Sequence, residues 1–561
     1  MTDIAETRIE RQDPVPEPMP DRSGTAGLAS LASSHWSPTT TEPLLESTIA
    51  SALEAAARRW PQALALVAAS ASQPAPYRLN FLELAERAQA VARALLGRFR
   101  SGERIAVWAP NVAEHFLLDL GAALAGLTVV PIPLAVRHRE LRHLLGASGA
   151  SGLFLVPEHR GIAMADVAAE ARSELPALRE LVDLTRWSEL LAAAPADDPL
   201  PTVAPSDPAQ LMFTSGSTGL PKGALLHHRG ITNASRFVAT GVGAEAGDVW
   251  LNFMPLSYVA GSSIAALAAL QAGATQVLAD FEPAAVLRMI AAERCSVTLA
   301  GVSMYRMLLE HPAIASTDVS SLRAVASGGS IIPGELARRM EHAFGATLTV
   351  VYGLTEACGI ALQTTVTDAR ADRLATIGRP LPHVEAKVAD PESGEVMAIG
   401  EPGELRLRGY QLMHGYLGLP EASADAIDPD GWLHTGDLAV MDERGFVRIT
   451  GRLKEIINRG GRKIAPAEIE TVLQTHPAVS TAAAVAVPDE RLGEEIAAFV
   501  KLLPNRSVDQ AELAALCRAE LAPYKTPRYW RFVDELPTTP AGKVQKFRLR
   551  EQFLAEPASR A

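Results

Sequence analysis

Strand-like apolar runs alternate with amphipathic, helix-like stretches through most of this 561-residue chain. The first helical spacing is Leu45, Ile49, Leu53 and Ala56, and Phe81 to Leu95 keeps apolar residues on one face at the period of a helix. Arg104 to Ala109 reads as a buried strand and Glu114 to Leu127 as a helix. Val129 to Pro133 is a strand end, Arg139 to Leu145 a helix, and Gly152 to Val156 the next strand. Beyond an Ala-rich region from Gly161 to Pro205, helices are predicted over Ile231 to Thr240, Pro283 to Ala292 and Tyr305 to Leu309. Strands are predicted from Asp248, over Ala274 to Leu278 and Val297 to Leu299, and from Ala324 and Val350. Strands that take turns with helices predict an α/β lobe, a parallel or mixed sheet covered on both faces. Residues 1 to 44, rich in Pro, Ser, Thr, Glu and Asp, are expected to be a disordered leader. From Arg452 to Phe553 a smaller α+β unit follows, with short strands at Ala482 to Val487 and Ile496 to Leu502 and helices at Pro466 to Gln474 and Gln510 to Leu521. The expected organisation is therefore a large lobe over 45–451, a small domain over 452–553 and a tail over 554–561.

Hydrophobic residues at 48% and charged residues at 21% describe an ordinary globular protein. The net charge of −12 argues against non-specific binding to nucleic acid. Three cysteines, none in a C-x-x-C pair, exclude a disulfide framework or a cysteine-rich metal site. The apolar run from Leu120 to Val136 is broken by glycines and prolines and reads as buried core. With no signal-peptide pattern at the N-terminus, a soluble, cytoplasmic protein is expected. Only 8 of the 52 basic residues are lysine, and the first is Lys222. In a chain that otherwise uses arginine, a lysine marks a site that needs a compact ammonium.

The candidate chemistry starts at that lysine. Leu211 to Phe213 leads into Thr214-Ser215-Gly216-Ser217-Thr218-Gly219-Leu-Pro-Lys222-Gly223, a loop of glycines and hydroxyls closed by a cation, which suits a polyphosphate. Its spacing is not that of a Walker A loop. Gly241-x-Gly243-x-x-x-Gly247 imitates a dinucleotide fingerprint at the wrong spacing and reads as a turn. Two strands end in Ser327-Gly328-Gly329-Ser330 and Tyr352-Gly353-Leu354-Thr355-Glu356, the kind of strand ends where α/β sheets collect ligands. There Tyr352 can stack on a base, Thr355 can donate to a phosphate and Glu356 is a hard oxygen ligand for Mg²⁺. Asp437, in Trp432-Leu-His-Thr-Gly-Asp437, has the acceptor-only carboxylate that suits a diol. Arg452-Leu-Lys454-Glu455 leads to Gly460-Gly461, and Pro540-Ala-Gly-Lys543-Val-Gln-Lys546 closes the small unit, with Lys543 presented by the turn and Lys546 expected to be a solvated neighbour.

Taken in order, these strings resemble the motifs of the adenylate-forming superfamily, in particular its acyl-CoA synthetase branch, over roughly residues 45 to 553. The resemblance implies that a carboxylate attacks the α-phosphate of Mg-ATP, giving acyl-AMP and pyrophosphate, and that a thiol then takes the acyl group. It further implies that the loop from Thr214 to Lys222 holds the β- and γ-phosphates. Adenine would lie between Gly328-Gly329-Ser330 and Tyr352-Gly353. Thr355 and Glu356, with Mg²⁺, and Lys543 would serve the reacting phosphate. Asp437 would hold the ribose and Arg452 the ribose or a phosphate, Lys454 would be the hinge, and Gly460 and Gly461 would line the thiol tunnel. The acyl pocket would be drawn from Ser257, Tyr258, Gly261, Gly301, Ser303 and Met304, which are neutral and small or apolar and favour an apolar monocarboxylic acid. Many relatives have His where Tyr258 stands, which puts any role for an imidazole there in doubt. Free CoA is the expected acceptor, since no carrier segment is fused before Ala561, while a carrier-protein pantetheine in trans and a homodimer stay open. A luciferase-like oxidation shares the same motifs, and a non-catalytic nucleotide-binding protein is the alternative from another class.

Overall fold

The computed structural model describes residues 30–40, 42–192, 199–214, 221–538 and 544–555. The fold is α/β, a large N-terminal domain of mixed sheets and helices followed by a smaller C-terminal one, and among the described residues the strands form four sheets. The nine-stranded sheet carries the centre of the large lobe. Six of its strands run parallel, in the order Thr347–Tyr352, Ala324–Gly328, Val297–Gly301, Val249–Asn252, Thr275–Leu278 and Leu64–Ala68. From Val249–Asn252 the chain moves first to one neighbour, Thr275–Leu278, and then to the opposite one, Val297–Gly301. Such a reversal leaves a crevice beyond the C-terminal ends of the strands. A six-stranded sheet ends in the antiparallel hairpin Pro208–Thr214 and Lys222–His227. A five-stranded antiparallel sheet holds Val384–Ala389, Gly403–Gly409, Leu433–Met441 and Val447–Arg452.

Local sequence explains how the layers are held. The helix Phe81–Leu96 opens with a capping box, in which Glu83 N donates to Asn80 Oδ1 (2.8 Å) and Asn80 N donates to Glu83 Oε2 (2.9 Å). Its apolar face, including Phe81, Leu84, Ala88, Val91 and Leu95, is buried. There it packs against the helix Ala113–Ala125. Two apolar clusters fill the large lobe, and two smaller ones lie in the C-terminal domain. The latter separate the clusters around Ile457, Ile469 and Ala484 from those around Val485, Phe499 and Leu549, as expected for a five-stranded sheet with a core on each side. Its central hairpin, Val479–Asp489 with Gly493–Leu502, is longer than the short strands predicted for it. A π-helical turn, Ala260–Ala265, follows the strand Val249–Asn252.

The expected disordered leader is corrected by its last part. His35 and Trp36 add an edge strand to the five-stranded sheet, in register with Lys387 and Ala386. Ser34 Oγ donates to Ala398 O (2.8 Å), and His35 Nε2 lies 2.8 Å from Glu385 Oε1. Trp36 is only 6% exposed because it fills the space over Gly445, where an added Cβ would sit 2.1 Å from the indole Cε3. Gly445 also has φ of +81°, a conformation other residues resist. Gly445→Ala is expected to expel Trp36 and cost about 3 kcal/mol. The check is a lower urea midpoint together with new proteolytic cleavage before residue 40; an unchanged midpoint would show that Trp36 docking contributes nothing.

Candidate active site

Three neighbouring strand ends form the floor of the crevice. Gly301 and Gly328 are paired neighbours at the C-terminal ends of their strands, and Gly328 is paired with Val351 on the next. A Cβ on Gly328 would lie 2.1 Å from Val351 O, so only glycine lets these two strand ends run together there. Gly329 and Ser330 follow in the open, and Tyr352 ends the next strand with Gly353 after it.

Tyr352 meets the five-stranded sheet. Its hydroxyl donates to Asp437 Oδ2 at 2.7 Å, and Arg452 Nε lies 2.8 Å from Asp437 Oδ1. Asp437 and Arg452 are themselves paired across adjacent strands. Asp437 is 3% exposed, so its carboxylate is held by a phenol on one oxygen and a guanidinium on the other. Burial, and then the Asp437 charge, push the Tyr352 hydroxyl well above the usual tyrosine range, so it serves as a fixed donor. The residues expected at adenine and ribose are thus contiguous.

The phosphate side is built from three separated segments. Thr214 and Lys222 are the closing pair of their hairpin, and Thr214 Oγ1 donates to Lys222 O at 3.4 Å. Ser215, Gly216, Ser217, Thr218 and Gly219 lie outside the described residues. Thr355 and Glu356 sit in a short 3₁₀ turn directly after the Tyr352 strand. The segment 413–417 stitches these together: Met413 N donates to Glu356 O (2.9 Å), Leu417 N donates to Gly223 O (2.9 Å), and Tyr416 bridges to Ala224. The Tyr416 hydroxyl donates to Glu356 Oε1 at 2.6 Å, and the Lys222 ammonium stands 5.1 Å from the Tyr416 ring centroid. Sequence reasoning assigned no role to Tyr416, although the string Met413-His-Gly-Tyr416 stands out between the flanking motifs.

A magnesium–nucleotide complex fits this donor set. Glu356 and Thr355 offer hard oxygens, and among the described residues no group of three or more His, Cys, Asp or Glu could form a cage of its own. That is the pattern for Mg²⁺ held by one or two carboxylates together with substrate phosphates.

The acyl-pocket candidates cluster at the neighbouring strand ends. Ser257 and Tyr258 follow Val249–Asn252, and Gly261 sits in the π-helical turn, where its carbonyl accepts from Asn252 Nδ2 at 3.0 Å. Gly301 ends its strand, and Ser303 and Met304 open the helix Val302–Glu310. Burial raises the Tyr258 hydroxyl to about 12, so it is a neutral wall. The same helix carries Arg306, which sequence reasoning missed. Its guanidinium donates to Ser480 O and Thr481 Oγ1 in the small domain.

In the C-terminal domain, Lys454 lies in the 3₁₀ turn Leu453–Glu455, two residues after Arg452. Gly460 and Gly461 form the tip of the hairpin Ile457–Arg459 and Arg462–Ile464, where Gly460 N donates to Leu492 O at 2.8 Å. Lys543 lies outside the described residues. Lys546, expected to be solvated, is instead largely buried between Glu455 Oε2 (2.6 Å) and Glu470 Oε1 (2.8 Å). Burial alone would lower its pKa, but the charges of Glu470 and Glu455 outweigh that and raise it above the ordinary lysine value.

Residues 53–417 match the family model described as AMP-binding enzyme, and residues 468–543 match that of the AMP-binding enzyme C-terminal domain. The chain belongs to the AMP-binding enzymes. It is 37% identical over 519 residues, 90% of this chain and 98% of the other, to a (7a-methyl-1,5-dioxo-octahydro-1H-inden-4-yl)propanoyl:CoA ligase of Mycobacterium tuberculosis. It is 33% identical over 547 residues, covering 91% and 88% of the two chains, to the mitochondrial medium-chain acyl-CoA ligase of Mus musculus. The crystal structure of ATP-bound MatB from Rhodopseudomonas palustris matches with a TM-score of 0.82 at 25% identity, over 91% of this chain and 99% of that one. An anthranilate CoA ligase in complex with anthranoyl-AMP matches with a TM-score of 0.83 at 25% identity, over 91% and 98%. As a member of this family the protein is an acid–thiol ligase of the acyl-CoA synthetase type. No described helix is long and apolar enough to cross a membrane.

Two outcomes follow for this AMP-binding enzyme. Asp437→Ala removes the acceptor shared by Tyr352 and Arg452 and is expected to weaken ATP binding about tenfold or more in calorimetry. Unchanged affinity would place the ribose elsewhere. Lys546→Met removes the cation shared by two partly buried carboxylates and is expected to cost about 1–3 kcal/mol of stability. Because the folded-state pKa is raised, the wild-type advantage in urea midpoint should be full at pH 8 and shrink as pH rises above the ordinary lysine value of about 10.4. A gap that stays constant into that alkaline range would mean the ion pairs contribute nothing.

Proposed function

We propose that this acyl-CoA synthetase activates an apolar monocarboxylic acid with ATP to acyl-AMP and passes the acyl group to CoA. The observation that carries the reading is that Tyr416 brings Lys222 and Glu356 together on one side, while Tyr352, Asp437 and Arg452 are bonded to one another on the other. A polyphosphate grip and a diol-binding carboxylate at the two ends of one crevice suit a nucleoside triphosphate.

In this reading Lys222, with Thr214 to Gly219, holds the departing pyrophosphate, Thr355 donates to the reacting phosphate, and Glu356 holds the metal. Magnesium, when bound, neutralises charge on the phosphate oxygens. Lys543 stabilises the charge that grows as the carboxylate attacks. Tyr352, Gly328, Gly329, Ser330 and Gly353 hold the base, and Asp437 and Arg452 fix the ribose. The acyl chain lies along Ser257, Tyr258, Gly261, Gly301, Ser303 and Met304, where the neutral Tyr258 and the buried Met304 favour an uncharged tail or ring. The boundary near residue 452 lets the small domain turn about Lys454, withdrawing Lys543 and bringing Gly460 and Gly461 towards the acyl-AMP for CoA. The CoA ligases among the relatives support the choice of acceptor.

The test is AMP release over a panel of straight-chain, branched and aromatic acids, with and without CoA. Release that depends on an apolar acid and rises with CoA is expected; release indifferent to CoA for every active acid would refute the ligase reading.

A further inference from the structure

The Tyr416 side chain is more than the segment's architecture needs. Its backbone is already fixed by the bridge to Ala224, by Leu417 N donating to Gly223 O, and by Tyr416 N donating to Ser423 Oγ at 2.8 Å. A phenylalanine would pack as well, yet the ring carries a hydroxyl 2.6 Å from Glu356 Oε1 and presents its face to the Lys222 ammonium. Among the described residues the Tyr416 hydroxyl is the hydrogen-bond partner of the Glu356 carboxylate. One side chain therefore touches both the cation of the polyphosphate loop and the carboxylate assigned to the metal.

We propose that Tyr416 is a positioning residue that couples the two halves of the phosphate site. Its hydroxyl orients one oxygen of Glu356 so that the rest of the carboxylate faces the metal, while its ring seats Lys222 for the β- and γ-phosphates. Metal and polyphosphate are then accepted as one unit, and the gain in nucleotide affinity on adding a divalent cation depends on that single hydroxyl. This inference rests on the reading of Glu356 as the metal ligand.

The two are separated by equilibrium binding of ATP to the full-length enzyme without any carboxylic acid, by calorimetry with Mn²⁺ and with EDTA. Bound Mn²⁺ is counted independently by electron paramagnetic resonance. Tyr416→Phe is expected to reduce the metal-dependent gain in affinity about tenfold while leaving metal-free ATP binding within about twofold. Glu356→Gln should abolish the gain, and Ser423→Ala, which loosens only the backbone, should leave it intact. A full gain in Tyr416→Phe overturns the proposal while the loss in Glu356→Gln preserves the metal assignment. Equal weakening of metal-free and metal-bound ATP in Tyr416→Phe, or a loss in Ser423→Ala as large as in Tyr416→Phe, overturns it in favour of general architecture. A full gain in Glu356→Gln overturns both. Tyr416→Leu, which removes ring and hydroxyl together, should weaken metal-free binding as well; if it does not, the ring does not seat Lys222.

Discussion

The hydrogen bond from Tyr352 to Asp437 fastens the nine-stranded sheet to the five-stranded one. The residues proposed for the base and the ribose meet at that fastening. Tyr352 ends a parallel strand whose neighbours end in Gly328 and Gly301, so the crevice floor is set by the same register that sets the tyrosine. Asp437 is paired with Arg452, and directly after Arg452 the chain enters the turn that holds Lys454. The contact is partly buried, with Asp437 itself inaccessible, so its donor and acceptor are costly to leave unmade. The residues proposed for adenine and ribose thus belong to different sheets but meet through this contact.

The phosphate end uses a different construction. Lys222 closes an antiparallel hairpin of the six-stranded sheet, and Glu356 follows a strand of the nine-stranded one. The segment 413–417 bonds to both, so a stretch with little regular structure ties the two sides together. Loops in this position carry function because a rigid scaffold sets their ends.

How much of this was legible in the sequence follows from the range of the interactions. Local pattern was enough for the helix at Phe81, whose cap and apolar face are written in adjacent residues, and for the strand ends at Gly328 and Tyr352. Composition misled at His35 and Trp36, because a Pro- and Ser-rich stretch can still dock when one tryptophan finds a glycine-floored slot more than 400 positions away. Lys546 misled for the opposite reason: it stands among polar residues along the chain, yet the fold sets it between Glu455 and Glu470. Tyr416 and Arg306 act through partners on other elements, and neither pairing follows from spacing.

The helix Val302–Glu310 begins with Ser303 and Met304 at the acyl side and, less than one turn later, holds the small domain through Arg306. A rigid helix transmits displacement along its axis, so a bulkier group pressed against its first turn also moves the anchor of the neighbouring domain. In the proposed reading, in which Ser303 and Met304 line the acyl chain, fit of the acid and freedom of the domain are mechanically joined, and changing the preferred substrate through this helix would alter the timing of the catalytic cycle along with its selectivity.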